Sequence, residues 1–266
     1  MSGAALAMAA EDRPLLTVKG LTKRYGARIG CADVSFGLWP GEVLGIVGES
    51  GSGKTTLLRC LAGELDADEG RVDYEGAQGL HDVLALSEPE RRRLMRTEWA
   101  LVHQNPRDGL RMGVSAGANV GERLMAVGWR HYGRIRETAA DWLGRVEIDP
   151  GRIDERPAAF SGGMQQRLQI ARNLVTAPRL VLMDEPTGGL DVSVQARLLD
   201  LIRGLVRDLG LSAIVVTHDL AVVRLLADRL IVMQGGHVVE QGLTDQVLDD
   251  PQAPYTQLLV SSVLRV

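Results

Sequence analysis

The sequence predicts an α/β fold: a parallel-sheet core around a phosphate-binding loop, an N-terminal antiparallel β layer and an inserted α-helical lobe. Three observations carry the prediction. Val43-Leu44-Gly45-Ile46-Val47 has no polar side chain, as a strand covered on both faces requires. It runs directly into Gly48-Glu49-Ser50-Gly51-Ser52-Gly53-Lys54-Thr55, the spacing G-x-x-x-x-G-K-T, after which Thr55–Leu61 reads as a helix start. Two more apolar runs, Leu180–Met183 and Ala213–Thr217, end in Asp184-Glu185 and His218, with helical patterns between the strands.

The elements follow in order. Met1–Ala10 is Ala-rich without a basic n-region, so residues 1–14 are expected to be a disordered tail before a domain over 15–266. Leu15–Leu21 and Val34–Leu38 read as strands with Tyr25-Gly26 between them, and Gly70–Tyr74 as a third strand of the same antiparallel layer. Ser87 caps a charged helix running to Arg96. Trp99–His103 is a strand with Gln104 at its end. The helical lobe is expected over about 107–175, with Leu124, Met125, Ile135, Trp142, Leu143 and Val146 in its core. A helix opens at Ser161-Gly162-Gly163 and another spans Val192–Leu209. Leu230–Val239 is a hairpin turning at Gln234-Gly235-Gly236, followed by short helices over Thr244–Asp249 and Tyr255–Leu264.

Composition bounds the function. A net charge of −4 gives no reason to expect a nucleic-acid partner. Cys31 and Cys60 lack metal-ligand spacing and fit a reduced cytoplasmic protein. No apolar run approaches a membrane span, so direct membrane insertion is not expected.

The chemistry is that of a nucleotide site. Glycines in the loop let successive N–H groups face phosphate oxygens, and the helix N-terminus adds its positive dipole end. The expected ATP contacts run from Gly48 through Glu49, Ser50, Gly51, Ser52, Gly53, Lys54 and Thr55 to Thr56. Lys54 places a point charge on the β/γ-phosphates, and the Thr55 hydroxyl is a magnesium ligand. In an open α/β sheet ligands bind beyond the carboxyl ends of the strands, where Gln104, Asp184, Glu185 and His218 all stand. Asp184 suits magnesium, Glu185 the base for attacking water, Gln104 both metal and water, and His218 the γ-phosphate. Tyr25 could stack on an adenine or be a half-exposed loop aromatic; residue type leaves both open. Ser161-Gly162-Gly163 is a second glycine-rich helix start without a Lys of its own. That implies a composite site, in which two chains sandwich nucleotide and each lends this turn to the other's γ-phosphate.

This set of motifs, from Leu16 onward, resembles the ATP-binding-cassette ATPases. The resemblance implies ATP and magnesium as cofactors and ATP hydrolysis as the activity. It makes Tyr25 the adenine-stacking aromatic, Gly48–Thr55 the first nucleotide motif and Gln104 the Q-loop glutamine. Phe160–Gln165, including Ser161, Gly162, Gly163 and Gln165, looks like the signature facing the partner's ATP. Asp184 and Glu185 look like the metal carboxylate and the base, Gly189-Leu190-Asp191 like the D-loop, and His218 like the switch histidine. Two positions depart from the pattern: Met164 stands where Gln is common, and Gly188-Gly189 replaces a D-loop serine.

Two subgroups are resembled. Leu190–Gln195 and Pro254-Tyr255-Thr256-Gln257-Leu258-Leu259 look like the ATPases of peptide or nickel importers. Val102–Leu110, Val114–Met125, His131-Tyr132-Gly133 and Thr187–Asp191 look more like the cassette subunits of the bacterial phosphonate carbon–phosphorus lyase system. That second likeness implies the lyase core complex as partner, and dimerisation with itself or a second, related cassette subunit. By analogy with importers the segment after Gln104, with Leu110 and Met112, is the expected docking surface.

Overall fold

The computed structural model describes residues 13–263, so the expected tail lies outside the described residues apart from Arg13 and Pro14. The chain forms two compact units, one made of residues up to Arg91 together with those from Gly210 onward, the other of Arg92–Leu209.

In the first unit, β1 (Leu16–Tyr25), β2 (Arg28–Leu38), β4 (Glu69–Gly76) and β5 (Gly79–Asp82) form an antiparallel sheet in the order β2-β1-β4-β5. Alternating Leu16, Val18, Val34, Phe36 and Leu38 turn one face of β1 and β2 inward. The first two strands run further than their apolar stretches, meeting at a tight turn with Tyr25 opposite Arg28. Ion pairs of Lys23 with Asp68 and Arg24 with Glu69 line that polar extension. β5 has no alternating apolar pattern; its pairing with β4 makes it a strand.

The same unit holds the parallel strands. β3 (Val43–Val47) lies between β8 (Ser212–Thr217) and β9 (Arg229–Gln234), parallel to both, and β10 (His237–Leu243) pairs antiparallel with β9. Every residue of β3 and β8 is buried, which explains their unbroken Val, Leu and Ile content. Val47 stands opposite Thr217 and Val232, so Gly48 and His218 leave their strands at one end of the sheet, beside Met233 of β9. The helices here are α1 (Lys54–Leu61), α8 (Leu220–Leu226), α9 (Thr244–Asp249) and α10 (Pro254–Val263). Val47, Leu220, Val223, Leu230, Val232, Val247, Leu248 and Tyr255 form one apolar cluster joining α8, α9 and α10 to the sheet. Each such Val or Leu contributes about 1.5–3 kcal/mol on burial. Cys31 and Cys60 are buried free thiols.

The chain passes into the second unit within α2 (Glu88–Thr97), where the Glu90 carboxylate accepts the N–H and O–H of Ser87. There β6 (Trp99–Val102) and β7 (Leu180–Asp184) pair in parallel, with Val102 opposite Met183. Between them come α3 (Pro106–Gly109), α4 (Ala116–Ala126), α5 (Tyr132–Arg145) and α6 (Gly162–Leu174), and α7 (Val192–Leu209) follows β7. Leu124, Ile135, Trp142, Leu143 and Val146 are buried as expected. Met125 is not: it is 47 % exposed, because its neighbour Leu124 takes the inward direction on α4 and one residue is a rotation of about 100°. Leu110 corrects a second expectation. At 6 % exposure it packs inside the unit and offers a partner little surface. The buried Asn119 amide fastens that segment, accepting the Arg111 N–H and donating to the carbonyls of Arg111 and Ser115.

Glu240 on β10 anchors α10, its two carboxylate oxygens accepting the N–H groups of Gln252 and Ala253 at 2.8 and 3.0 Å. Burial pushes this carboxyl up, but the Gln252 amide, the Thr256 hydroxyl and the Ala253 amide outweigh it and hold it below its ordinary range. A depressed carboxylate contributes stability that is present above its unfolded pKa and is lost as pH falls through the folded value. Glu240→Ala should therefore cost about 1–2 kcal/mol at neutral pH. The gap to wild type should narrow below the ordinary glutamate range. Urea titrations at a series of pH values check this; a gap that does not change with pH would remove the carboxylate from the role.

Candidate functional site

Two positions of the phosphate loop admit only glycine. Gly48 has φ +151°, and a Cβ there would stand 2.2 Å from the Met233 carbonyl oxygen. Gly53 has φ +103°, and its Cβ would stand 2.1 Å from the Gly30 carbonyl oxygen. The loop is thus pressed between the β2 and β9 backbones, and the Gly236 N–H donates to Ser52 O to close it further. Lys54 is only 6 % exposed. Its ammonium donates to Gly48 O at 2.7 Å, Glu49 O at 2.8 Å and Ser52 Oγ at 3.2 Å, so a buried cation sits inside the loop on three oxygen acceptors. Gly53 is the N-cap of α1 and supplies no side-chain cap. Glu49, Ser50, Gly51 and Thr55 are exposed around this cradle, while Ser52 is buried.

The remaining candidates of the first unit stand near it. Tyr25 is 47 % exposed. A Cβ on Gly30 would lie 2.9 Å from the Tyr25 ring and 2.8 Å from the Thr56 methyl, so the aromatic edge and the start of α1 flank one residue. His218 is exposed directly after β8, at the strand end beside Gly48.

In the second unit Gln104 is exposed two residues past β6, and Asp184 is half-buried at the end of the adjacent β7. Glu185 takes φ +43°, a left-handed backbone that costs a non-glycine residue about 1–2 kcal/mol. Its carbonyl accepts the Gly188 N–H at 2.9 Å, and the side chain of Gln104 lies against Gly188. Gln104, Asp184 and Glu185 are therefore gathered at one edge of this unit. Gly189 (φ +74°) completes the turn, and Asp191 O receives the first N–H groups of α7 from Val194 and Gln195.

Ser161 caps α6 by accepting the Met164 N–H at 3.4 Å, with Gly162 exposed beside it. Gly163 has a packing reason of its own: a Cβ would approach Val194 Cγ1 to 2.6 Å. Gln165 corrects the expectation that it faces a partner's nucleotide. It is 7 % exposed, and its amide donates to Pro157 O and Phe160 O, holding the turn from within.

Sequence reading missed the residues that aim this turn and the Q-loop. Gln169 accepts the His103 N–H at 2.7 Å and donates to His103 O at 3.0 Å, and Gln166 also donates to His103 O. Both glutamines are buried, so α6 grips the backbone one residue before Gln104. Two amides among apolar neighbours of a helix were the available signal. Among the described residues no group of three or more His, Cys, Asp or Glu side chains is placed to cage a metal.

A family model described as ABC transporter matches residues 31–188. The chain is 66 % identical over 254 residues to an Escherichia coli (strain K12) protein provisionally named phosphonates utilization ATP-binding protein PhnK, covering 96 % of this chain and 99 % of that one. It is 38 % identical over 231 residues to the oligopeptide transport ATP-binding protein OppF of the same organism, covering 86 % and 68 %. A Brucella ovis protein provisionally named as a peptide import ATP-binding protein is 38 % identical over 256 residues, covering 95 % and 79 %. Among solved structures, the dimeric post-hydrolysis state of the ATP-binding cassette MJ0796 bound to ADP and Pi matches with a TM-score of 0.77 and 28 % identity, covering 86 % of this chain and 98 % of that one. The Clostridium perfringens cbiO1, part of the ABC transporter complex cbiONQ, matches with a TM-score of 0.77 and 26 % identity, covering 96 % of each. By these likenesses, which span the phosphate loop, the Q-loop and the signature turn, the chain belongs to the ABC transporter family of ATP-binding proteins.

Proposed function

We propose that this chain binds and hydrolyses ATP as a cytoplasmic dimer, and that it serves the carbon–phosphorus lyase core complex in phosphonate degradation. The observation that carries the nucleotide reading is the loop itself. A helix start with no side-chain cap carries a buried ammonium that donates to the Gly48 and Glu49 carbonyls and the Ser52 hydroxyl. Incoming phosphate adds a full negative charge to its acceptor oxygens, so Lys54 turns from the carbonyls of Gly48 and Glu49 to the β/γ-phosphate oxygens. Tyr25 takes the adenine on its exposed ring.

Thr55, Gln104 and Asp184 are the residues to hold magnesium. Their hydroxyl, amide and carboxylate oxygens suit a hard cation that takes few protein ligands and completes its shell with water and substrate phosphate. When bound, magnesium supplies neutralisation of the charge gathered on the phosphate oxygens. Glu185 accepts the proton of the water whose oxygen attacks the γ-phosphorus, and ADP leaves. The left-handed backbone at Glu185 supports that role, since such strain persists where the surroundings impose it. His218 and Gln104 orient γ-phosphate and water. Ser161, Gly162 and Gly163, with Gly189 and Asp191, face the nucleotide of a second copy or of a related cassette subunit. Gln165 supports that turn from behind.

The choice of partner rests on the 66 % identity to a phosphonates utilization protein over nearly the full length of both chains. The runner-up is the cassette of a peptide or nickel importer, which the 38 % likeness to peptide-import proteins favours. Among the described residues no helix is long and apolar enough to cross a membrane, so an importer role would need a permease.

Three outcomes are expected. Glu185→Gln retains nucleotide affinity while hydrolysis falls by roughly 10²–10⁴-fold; turnover within a few-fold of wild type would remove Glu185 as the base. Ser161→Arg binds nucleotide as a monomer but no longer dimerises with ATP in light scattering, and ATP-driven dimerisation of that variant would sink the sandwich. A pulldown from native cells recovers lyase subunits in the soluble fraction. Recovery of a permease from the membrane fraction, without them, would overturn the lyase assignment.

A further inference from the structure

The C-terminal stretch Pro254-Tyr255-Thr256-Gln257 has no part in the chemistry above, yet it touches the phosphate loop. Tyr255 is 9 % exposed, its ring packed in the cluster with Val47, the last residue of β3 before the loop, and Val232 of β9. Its phenol oxygen accepts the Glu49 N–H at 3.0 Å. The other edge of that same peptide unit, the Gly48 carbonyl, accepts the Lys54 ammonium at 2.7 Å. One peptide plane is therefore held from both sides, by the C-terminal helix and by the loop lysine. Gly48 has no side chain to resist rotation of that plane. An N–H bonded to an acceptor also makes its own carbonyl a better acceptor, so the two bonds reinforce each other. The helix that carries Tyr255 is fastened in turn by Glu240, through Gln252 and Ala253.

We infer that Tyr255 is a positioning residue for the nucleotide site, setting the plane of the Gly48–Glu49 peptide and with it the position from which Lys54 meets phosphate. This rests on the reading of the loop as the nucleotide site. Removing the phenol oxygen alone frees the peptide to turn, so the loop must be reordered each time a nucleotide binds. The loss falls on binding and leaves the proton transfer intact.

The test is Tyr255→Phe in the full chain, titrated with ADP and assayed with ATP. Expected are nucleotide affinity weakened by roughly three- to ten-fold, the worth of one hydrogen bond, and a KM raised in step. The kcat should stay within about two-fold and the melting midpoint should be nearly unchanged. Hydrogen exchange at the Glu49 amide should quicken. Wild-type affinity would overturn the inference, whether or not that amide exchanges faster. A loss of kcat in step with a lowered melting midpoint would also overturn it, leaving Tyr255 a packing residue. Lys54→Ala separates the inference from its premise: if that variant binds ADP like wild type, the nucleotide reading itself has failed. Should Tyr255→Phe not fold, Glu240→Ala loosens the same helix from its anchor; affinity must fall in the same direction, and unchanged affinity overturns the inference.

Discussion

β3 is hydrogen-bonded on both sides by parallel strands and buried at every position, and the first unit depends on that constraint. A strand so enclosed cannot slip by one residue without unpairing two neighbours. Its carboxyl end is therefore a fixed point. The loop starts there, the β8 end delivers His218 beside it, and the β9 end delivers the Met233 carbonyl that presses on Gly48. The site is a consequence of strand register before any functional side chain is considered.

The loop then solves a problem of its own making. A lysine buried to this degree needs acceptors, since an unpaired ammonium in the interior costs several kcal/mol. The loop's bends point the carbonyls of Gly48 and Glu49 and the Ser52 hydroxyl at it. Those bends exist because Gly48 and Gly53 sit where a side chain would collide with backbone. Phosphate oxygens, which carry a full negative charge, attract such an ammonium more strongly than carbonyl and hydroxyl oxygens do.

In the second unit the polar groups serve to aim. The pairing of β6 with β7 sets Gln104 near Asp184 and Glu185, and the buried glutamines of α6 hold His103 so that Gln104 leaves its strand in one direction. The same helix begins at Ser161, so one helix carries both that turn and the amides that hold the backbone before Gln104. Gly109 makes room for this grip, since a Cβ there would meet the Gln169 amide oxygen at 2.2 Å.

Sequence by itself determined the strands buried on both faces, the loop between β3 and α1, and the helix from Val192 to Leu209, because each carries a local signal: an unbroken apolar run, a glycine spacing or a helical period. It likewise determined which residue types stand at the strand ends. Tertiary structure alone decided the rest. β5 is a strand only through β4, and β1 and β2 outrun their apolar residues by pairing with each other as far as Tyr25 and Arg28. Met125 faces out while Leu124 faces in, and Leu110 packs inside although its neighbours are polar. Gln165 turns to the Pro157 and Phe160 carbonyls, and Tyr255 reaches Glu49 across 206 positions of sequence. Periodicity ranks residues by how well they suit a buried face, but a hydrogen bond between distant groups leaves no period. Only the folded chain brings such a donor and acceptor together.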